Sequence, residues 1–237
     1  MEITEEIISE LKKDDGHTAH FNYFSPITKK TRIEFIIDSI KNLNVENIVH
    51  VGCAGHVVKI QEQIASSKHL HSALVSNFTN VIGFDTNNEA IALLKKYKID
   101  NVFCTNFLDS ENVLKITSKY FYSKPFLILI PDMLEHLDNP VNFLQEIKTK
   151  YSNYCKNIVI SVPNAYGYQR ISSIFKENME NINSDHRYMF TPTTILKIIV
   201  KANLTPVTLD FVGFFDDFPI ENNMAMLGHT MVVYCKL

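Results

Sequence analysis

Tryptophan is absent from this chain, glycine occurs only 7 times in 237 residues, and cysteine 4 times. So little glycine leaves no flexible linker and no repeat array. Cys53, Cys104, Cys155 and Cys235 show no CxxC or CxxH spacing. Three fall at or beside expected strands, where a thiol is a small apolar filler, and such usage suits a reducing compartment. The longest apolar run, 125–131, is far too short to cross a bilayer. The acidic start, Met1-Glu-Ile-Thr-Glu-Glu6, lacks the apolar stretch of a secretory leader, so the cytoplasm is the expected setting, with no membrane partner. Neither sign of charge dominates: the formal charge is −3 and the pI about 6.3. Without a basic stripe, nucleic acid is not an expected partner.

What is present is a chain of ordinary globular composition, 46% apolar and 21% charged, long enough for one α/β domain with a sizeable core. The most informative stretch is Asn47-Ile-Val-His-Val-Gly-Cys-Ala-Gly-His56. A short buried strand runs into a turn of small residues, Gly52 to Gly55, and a helical pattern over 57–65 follows. Small residues there let a ligand approach the backbone just ahead of a helix N-terminus. A second strand, Val81 to Phe84, ends in Asp85, an acid placed to accept hydrogen bonds from both hydroxyls of a ribose. Strand, small turn, helix, strand and acid together predict a nucleoside-binding half.

Helical periodicity covers 3–13 and 31–43, with an aromatic, aperiodic segment over 16–26 between them that reads as an edge-sealing connector or a flap over the site. The stretch 66–71 reads as a bridge to the second strand. Its His69 and His71, two apart and without a third ligand, read as polar packing rather than a metal pair. Thr86-Asn-Asn-Glu89 has the form of a capping box. Val102 to Thr105 is a third strand. Phe126 to Ile130, apolar at every position, is the clearest buried parallel strand. It leads to Asn139-Pro140, a cap and first helical residue. A fifth strand over 157–162 precedes the loop 163–167, and an amphipathic piece puts Ile171, Phe175 and Met179 on one side. Thr191-Pro192 opens the last helix. Strands over 207–212 and 231–235 have only a loop between them, which predicts an antiparallel pair closing an otherwise parallel sheet. Loop 214–229 reads as a gate or a dimer contact.

The order of these motifs resembles the class I S-adenosylmethionine-dependent methyltransferases, over residues 30–237. The matching pieces are His50-Val-Gly-Cys-Ala-Gly55, Asp85, Thr105-Asn-Phe107, Asp132-Met-Leu-Glu-His-Leu-Asp-Asn-Pro140, Ser161-Val-Pro-Asn164 and Asp185-His-Arg-Tyr-Met-Phe-Thr-Pro192. The Glu135-His-Leu-Asp-Asn-Pro140 run and the His186-Arg-Tyr-Met-Phe-Thr-Pro192 run look most like small-molecule O-methyltransferases of the ubiquinone and sugar-modifying branches. The resemblance implies a Rossmann-like α/β fold with a seven-stranded, mostly parallel sheet, an antiparallel last strand and helices on both faces. It implies one domain over 1–237, with 1–43 as an N-terminal helical cap and 164–190 as a substrate-side insertion. The implied cofactor is S-adenosylmethionine, held by Gly52, Cys53, Ala54, Gly55, Asp85, Thr86, Asn106, Phe107 and Asp132. The chain departs from the family pattern at three places: His50 replaces the usual acid, Ala54 the middle glycine and His56 the last. With the acid gone, Asp132 or a turn carbonyl is the expected acceptor for the cofactor's ammonium.

Methyl transfer from a sulfonium needs donor and acceptor in line, water excluded and, for an alcohol, a proton removed. The acceptor is expected beyond the fourth strand. His136 is the side chain there that titrates near neutrality, so it is the expected base, with Glu135 orienting it. Asn164, Tyr166, His186 and Arg187 are the expected acceptor contacts, Arg187 as a clamp on an anionic group and His186 as an alternative base. No companion ligands to Glu135-His136 are evident, so no metal is expected. The reading is transfer of a methyl group to an oxygen of a small polar acceptor, possibly a sugar or nucleotide-sugar intermediate, by a monomer or homodimer. Alternatives are a non-catalytic cofactor-binding module suggested by the altered glycines, or another acceptor class: nitrogen, a lipid quinone precursor or RNA. A nicotinamide oxidoreductase fits neither the turn nor the closing strands.

Overall fold

The computed structural model describes residues 1–16, 18–214 and 224–237. In chain order the elements are α1 (Glu5–Lys12), α2 (Arg32–Asn42), β1 (Asn47–Val51), α3 (Val57–Ala65), α4 (Leu70–Asn77), β2 (Asn80–Asp85), α5 (Asn88–Lys96) and β3 (Val102–Cys104). There follow α6 (Ser110–Phe121), β4 (Phe126–Pro131), α7 (Pro140–Tyr151), β5 (Cys155–Pro163), α8 (Tyr168–Glu177), α9 (Pro192–Lys201), β6 (Thr205–Val212) and β7 (Thr230–Lys236). Short 3-10 turns lie at Leu134–His136 and Ala225–Leu227.

The seven strands form one sheet in the order β3-β2-β1-β4-β5-β7-β6. β7 runs antiparallel to both β5 and β6, and the other pairings are parallel. This is the Rossmann-like arrangement expected from the motif order. β4 sits at the centre with all six residues buried, which is why it reads as a continuous apolar run rather than an alternating one. One face packs on a large core that includes Phe84, Ile128, Leu144 and Ile195. The opposite face packs on α2 and α4 through Ile36, Ile40 and Leu74. The order reverses between β1 and β4, and a crevice opens there at the carboxyl ends of the strands, where ligands of open α/β sheets bind.

The N-terminal residues add to the sheet margin. Ile3 donates its backbone N–H to the Val207 carbonyl at 2.8 Å, Leu209 donates to Met1 at 3.0 Å, and the terminal amine pairs with Asp210. This protects the β6 edge from pairing with another chain. The described part of segment 16–26 is a connector: Tyr23 is buried and bonded to Thr193, Ser25 is bonded to Asp210, and the crevice lining includes none of it.

Several local expectations change. The bridge before β2 contains α4, whose histidine at 71 is fully buried. A core histidine broke the apolar pattern that would have marked it. α6 went unread as well, although Asp109 caps it and Val113, Thr117 and Phe121 form its buried stripe. The helix after β2 is capped by Asn87, which accepts from the Ala90 N–H at 3.0 Å, rather than by a box at Thr86. Phe175 of α8 is exposed, and α8 buries no residue. Caps at Asn139 and Thr191, each followed by proline, are present. Loop 214–229 lies largely outside the described residues, since it contains 215–223.

Candidate active site

The crevice is a cavity of about 890 Å³. Its first wall is the turn after β1. Gly52 and Gly55 have φ of +73° and +67°, a left-handed backbone that side chains resist. Ala54, between them, does not have a positive φ, so its methyl group is tolerated where a glycine is usual. The Gly52 and Cys53 N–H groups both donate to the Phe84 carbonyl, which fastens the turn to β2. Gly83 makes this packing possible, because a Cβ there would lie 2.6 Å from the Cys53 sulfur.

Asp85 faces the turn from the end of β2. One carboxylate oxygen accepts the Ala54 N–H at 3.0 Å and the other the Asn87 N–H at 2.9 Å. Two backbone donors thus fix the carboxylate at the cavity wall, with lone pairs left for a diol. Thr86, Asn106 and Phe107 also line the cavity. The Phe107 ring is buried, stacked on Tyr151 at 4.6 Å, and Asn106 accepts the Leu108 N–H to shape the loop after β3.

His50, where an acid is usual, is buried beneath the turn. Its Nδ1 lies 3.1 Å from Nδ1 of His71, so one ring donates and the other accepts. Burial holds both below the ordinary imidazole range, His71 at about 3. The pair is neutral at physiological pH and supplies no negative charge for an ammonium.

The opposite wall begins at Asp132, whose φ of +45° is uncommon outside glycine, though aspartate bears it better than most residues. Its carboxylate pairs with Arg32 from the first turn of α2 and accepts the Ser161 hydroxyl at 3.0 Å. The 3-10 turn that follows carries Glu135 and His136. The Glu135 side chain is fully buried, and neither carboxylate oxygen has a hydrogen-bond partner. Burial, reinforced by the Asp132 charge, pushes its carboxyl up to about 8. The Glu135 carbonyl accepts the backbone N–H groups of Arg187 and Tyr188, which draws loop 184–190 over the site.

That loop brings His186 against His136, with ring centroids 4.7 Å apart and the planes perpendicular. Burial and the neighbouring His136 lower the His186 pKa, and its Nδ1 is buried without a partner. Asp185 lies 3.3 Å from His136 Nδ1 and 3.7 Å from His56 Nε2, joining the β1 turn to loop 184–190. Two groups place ligand atoms within 4.8 Å of one another: Glu135, His136 and His186, and also His56, His136 and Asp185. His186 is therefore a companion to Glu135-His136, 50 residues distant in sequence. The first group also contains three unpartnered buried atoms. One carboxylate with imidazoles suits a divalent transition ion better than calcium.

Three expected acceptor contacts lie elsewhere. Asn164 is fully buried, donating to the Met226 and Gly228 carbonyls and accepting the Tyr166 N–H; it ties β5 to the approach to β7. Tyr166 is surface-exposed and is not part of the cavity lining. Arg187 is committed to Asp138 at 2.5 Å and to the His136 carbonyl. Arg170, unread in the sequence, lines the cavity instead, as does Arg32. Polar residue type marks both groups alike; only the path of the loop separates them.

No protein-family model and no curated protein matches the chain. Solved structures do. A structure of the small RNA methyltransferase HEN1 is similar with a TM-score of 0.58 at 15% identity, over 95% of this chain and 27% of that one; the present chain thus spans about a quarter of its length. The methyltransferase domain of bacterial CtHen1-CN gives 0.54 at 16% identity, over 87% and 98%. A SAM-dependent methyltransferase from Anabaena variabilis gives 0.53 at 14%, over 90% and 88%. The chain has the class I methyltransferase fold.

Proposed function

We propose that this chain transfers the methyl group of S-adenosylmethionine to an oxygen of a polar hydroxyl compound. The observation carrying this reading is the meeting, across one cavity, of a diol-accepting carboxylate at Asp85 with Glu135, His136 and His186. The cofactor fits the residues present: a left-handed small turn open to a ligand, a fixed carboxylate, and Asn106-Phe107 on the same wall. When bound it would supply an electrophilic methyl on a sulfonium, transferable to an oxygen nucleophile with the neutral thioether as the leaving group and the bonding pair returning to sulfur.

The chain's own residues hold and deprotonate. Asp85 accepts from the ribose, and the β1 turn receives the amino-acid end. His136 takes the acceptor proton at Nε2, because Asp185 engages its Nδ1. Glu135 and His186 flank it. Free cysteines suit a cytoplasmic setting, and among the described residues no helix is long and apolar enough to cross a membrane.

A second reading is favoured by the unpartnered atoms of Glu135 and His186: a divalent ion held by Glu135, His136 and His186, which would make the acceptor hydroxyl more acidic. The likeness to HEN1 brings RNA in as a second acceptor class beside small sugars. Calorimetry with S-adenosylmethionine, then methyl transfer to hydroxyl compounds and short RNAs with chelator or with added Mn²⁺, Co²⁺ or Zn²⁺, tests all of this. Cofactor binding with no transfer to any acceptor under any ion condition would leave a cofactor-binding module.

A further inference from the structure

The chain contains three arginines, Arg32, Arg170 and Arg187. Arg32 and Arg170 line the cavity and Arg187 does not.

The three guanidinium groups are differently engaged. Arg32 is paired with Asp132, and Arg187 with Asp138 and the His136 carbonyl. Arg170, in the first turn of α8, donates from one terminal nitrogen to the Asn164 carbonyl at 3.2 Å. Its Nε is buried with no partner. Gly167 helps to seat it, because a Cβ there would come within 3.3 Å of the same terminal nitrogen. Burial lowers the Arg170 pKa, and the nearby charges of Asp132 and Glu135 act against that shift. A half-buried guanidinium with an orphaned donor is costly unless something supplies an acceptor.

We propose that Arg170 is the anchor for an oxyanion, phosphate or carboxylate, carried by the methyl acceptor. This rests on the methyl-transfer reading and names the acceptor class within it: a hydroxyl compound that also bears an anionic group. Arg170 follows β5, on the side of the crevice with Glu135 and His186, whereas the cofactor turn and Asp85 belong to β1 and β2. The planar fork of a guanidinium offers paired donors to two oxygens of one anion. The same chemistry has a second source, the carboxylate of the cofactor itself, and the test separates the two.

Inorganic phosphate, and acetate in parallel, are titrated by calorimetry into the full chain, both free and saturated with S-adenosylhomocysteine. Wild type is expected to bind at least one of the anions in both states. Arg170→Gln should weaken that binding about tenfold or more, the loss of one or two charge-assisted hydrogen bonds. Arg170→Lys, which keeps the charge but not the fork, gives a smaller loss and stands in if the glutamine variant does not fold. Arg187→Gln should retain the anion. No anion binding by wild type, wild-type affinity in both Arg170 variants, or loss only in Arg187→Gln overturns the proposal. So does a drop in S-adenosylhomocysteine affinity as large as the drop for the anion, which would assign Arg170 to the cofactor carboxylate. If S-adenosylhomocysteine does not bind wild type at all, the methyl-transfer reading fails, while titration of the cofactor-free chain still decides Arg170.

Discussion

On the β1–β2 side of the crevice the wall is built on a left-handed turn and a carboxylate that two N–H groups fix in place. On the β4–β5 side it carries a buried unpartnered glutamate, perpendicular histidines and an arginine with a spare donor. The first wall is preorganised by hydrogen bonds already made. The second retains unmet hydrogen-bonding capacity, as expected where a reacting group must be handled. Substitutions should therefore separate into binding effects on one wall and rate effects on the other.

The largest effect is expected from His136→Ala. Loss of a general base typically lowers turnover about 10²–10⁴-fold, and cofactor affinity should change little because His136 lies on the second wall. Turnover by the variant equal to wild type would remove His136 as the base. A parallel loss of cofactor affinity would break the separation of the walls. Next is Asp85→Ala, expected to weaken cofactor binding about a hundredfold through lost charge-assisted hydrogen bonds. Calorimetry reads this directly, and unchanged affinity would mean that β2 does not end at the ribose.

The walls also differ in how pH acts on stability. His50 and His71 are held below their ordinary range, so the unfolded chain binds protons that the folded one refuses. Their contribution is present above about pH 6.5 and is lost as the pH falls. Glu135 is raised to about 8, so the folded state keeps a proton that the unfolded chain releases near its ordinary carboxylate value. Stability from this group falls as the pH rises from about 4.5 to 8. The opposed signs put the maximum near pH 6.5 in chelator-treated protein, with a loss of about 2 kcal/mol by pH 8 from Glu135 alone. Urea denaturation across pH 5 to 8 checks it. Glu135→Gln should flatten the alkaline limb and His71→Gln the acid limb; a Glu135→Gln variant that keeps the alkaline slope would assign it to another group.

The same contrast explains how much could be read without coordinates. The β1 turn and Asp85 are local consequences of chain sequence, so strand, small turn and acid are visible within a few residues of one another. The closing antiparallel pair was equally legible, because two strands lacked a helix between them. The second wall depends on contacts across loops. Glu135-His136 could be found by its position after β4, but its meeting with His186 requires the Glu135 carbonyl to capture the backbone of Arg187 and Tyr188. Nothing in residue type tells Arg170 from Arg187, or marks Asn164 as a buried tie rather than an acceptor contact. His71 concealed α4 because a neutral buried histidine looks polar in sequence and behaves as core.

The smallest effect tests whether the first wall is as rigid as its hydrogen bonds imply. Tyr151, fully buried in α7, donates its hydroxyl to the Phe107 carbonyl at 2.5 Å and stacks on the Phe107 ring. Tyr151→Phe keeps the stack but leaves that carbonyl unpaired in a dry core, at a cost of about 1 kcal/mol or somewhat more. For a chain of this length that lowers the melting temperature by about 2–4 °C. Since the same carbonyl belongs to the loop carrying Asn106, cofactor affinity should fall by a small factor while turnover at saturating cofactor holds. A lower melting temperature with unchanged affinity would mean that the loop is set by the Asn106 and Asp85 contacts alone, and that the core beneath the first wall does not tune it.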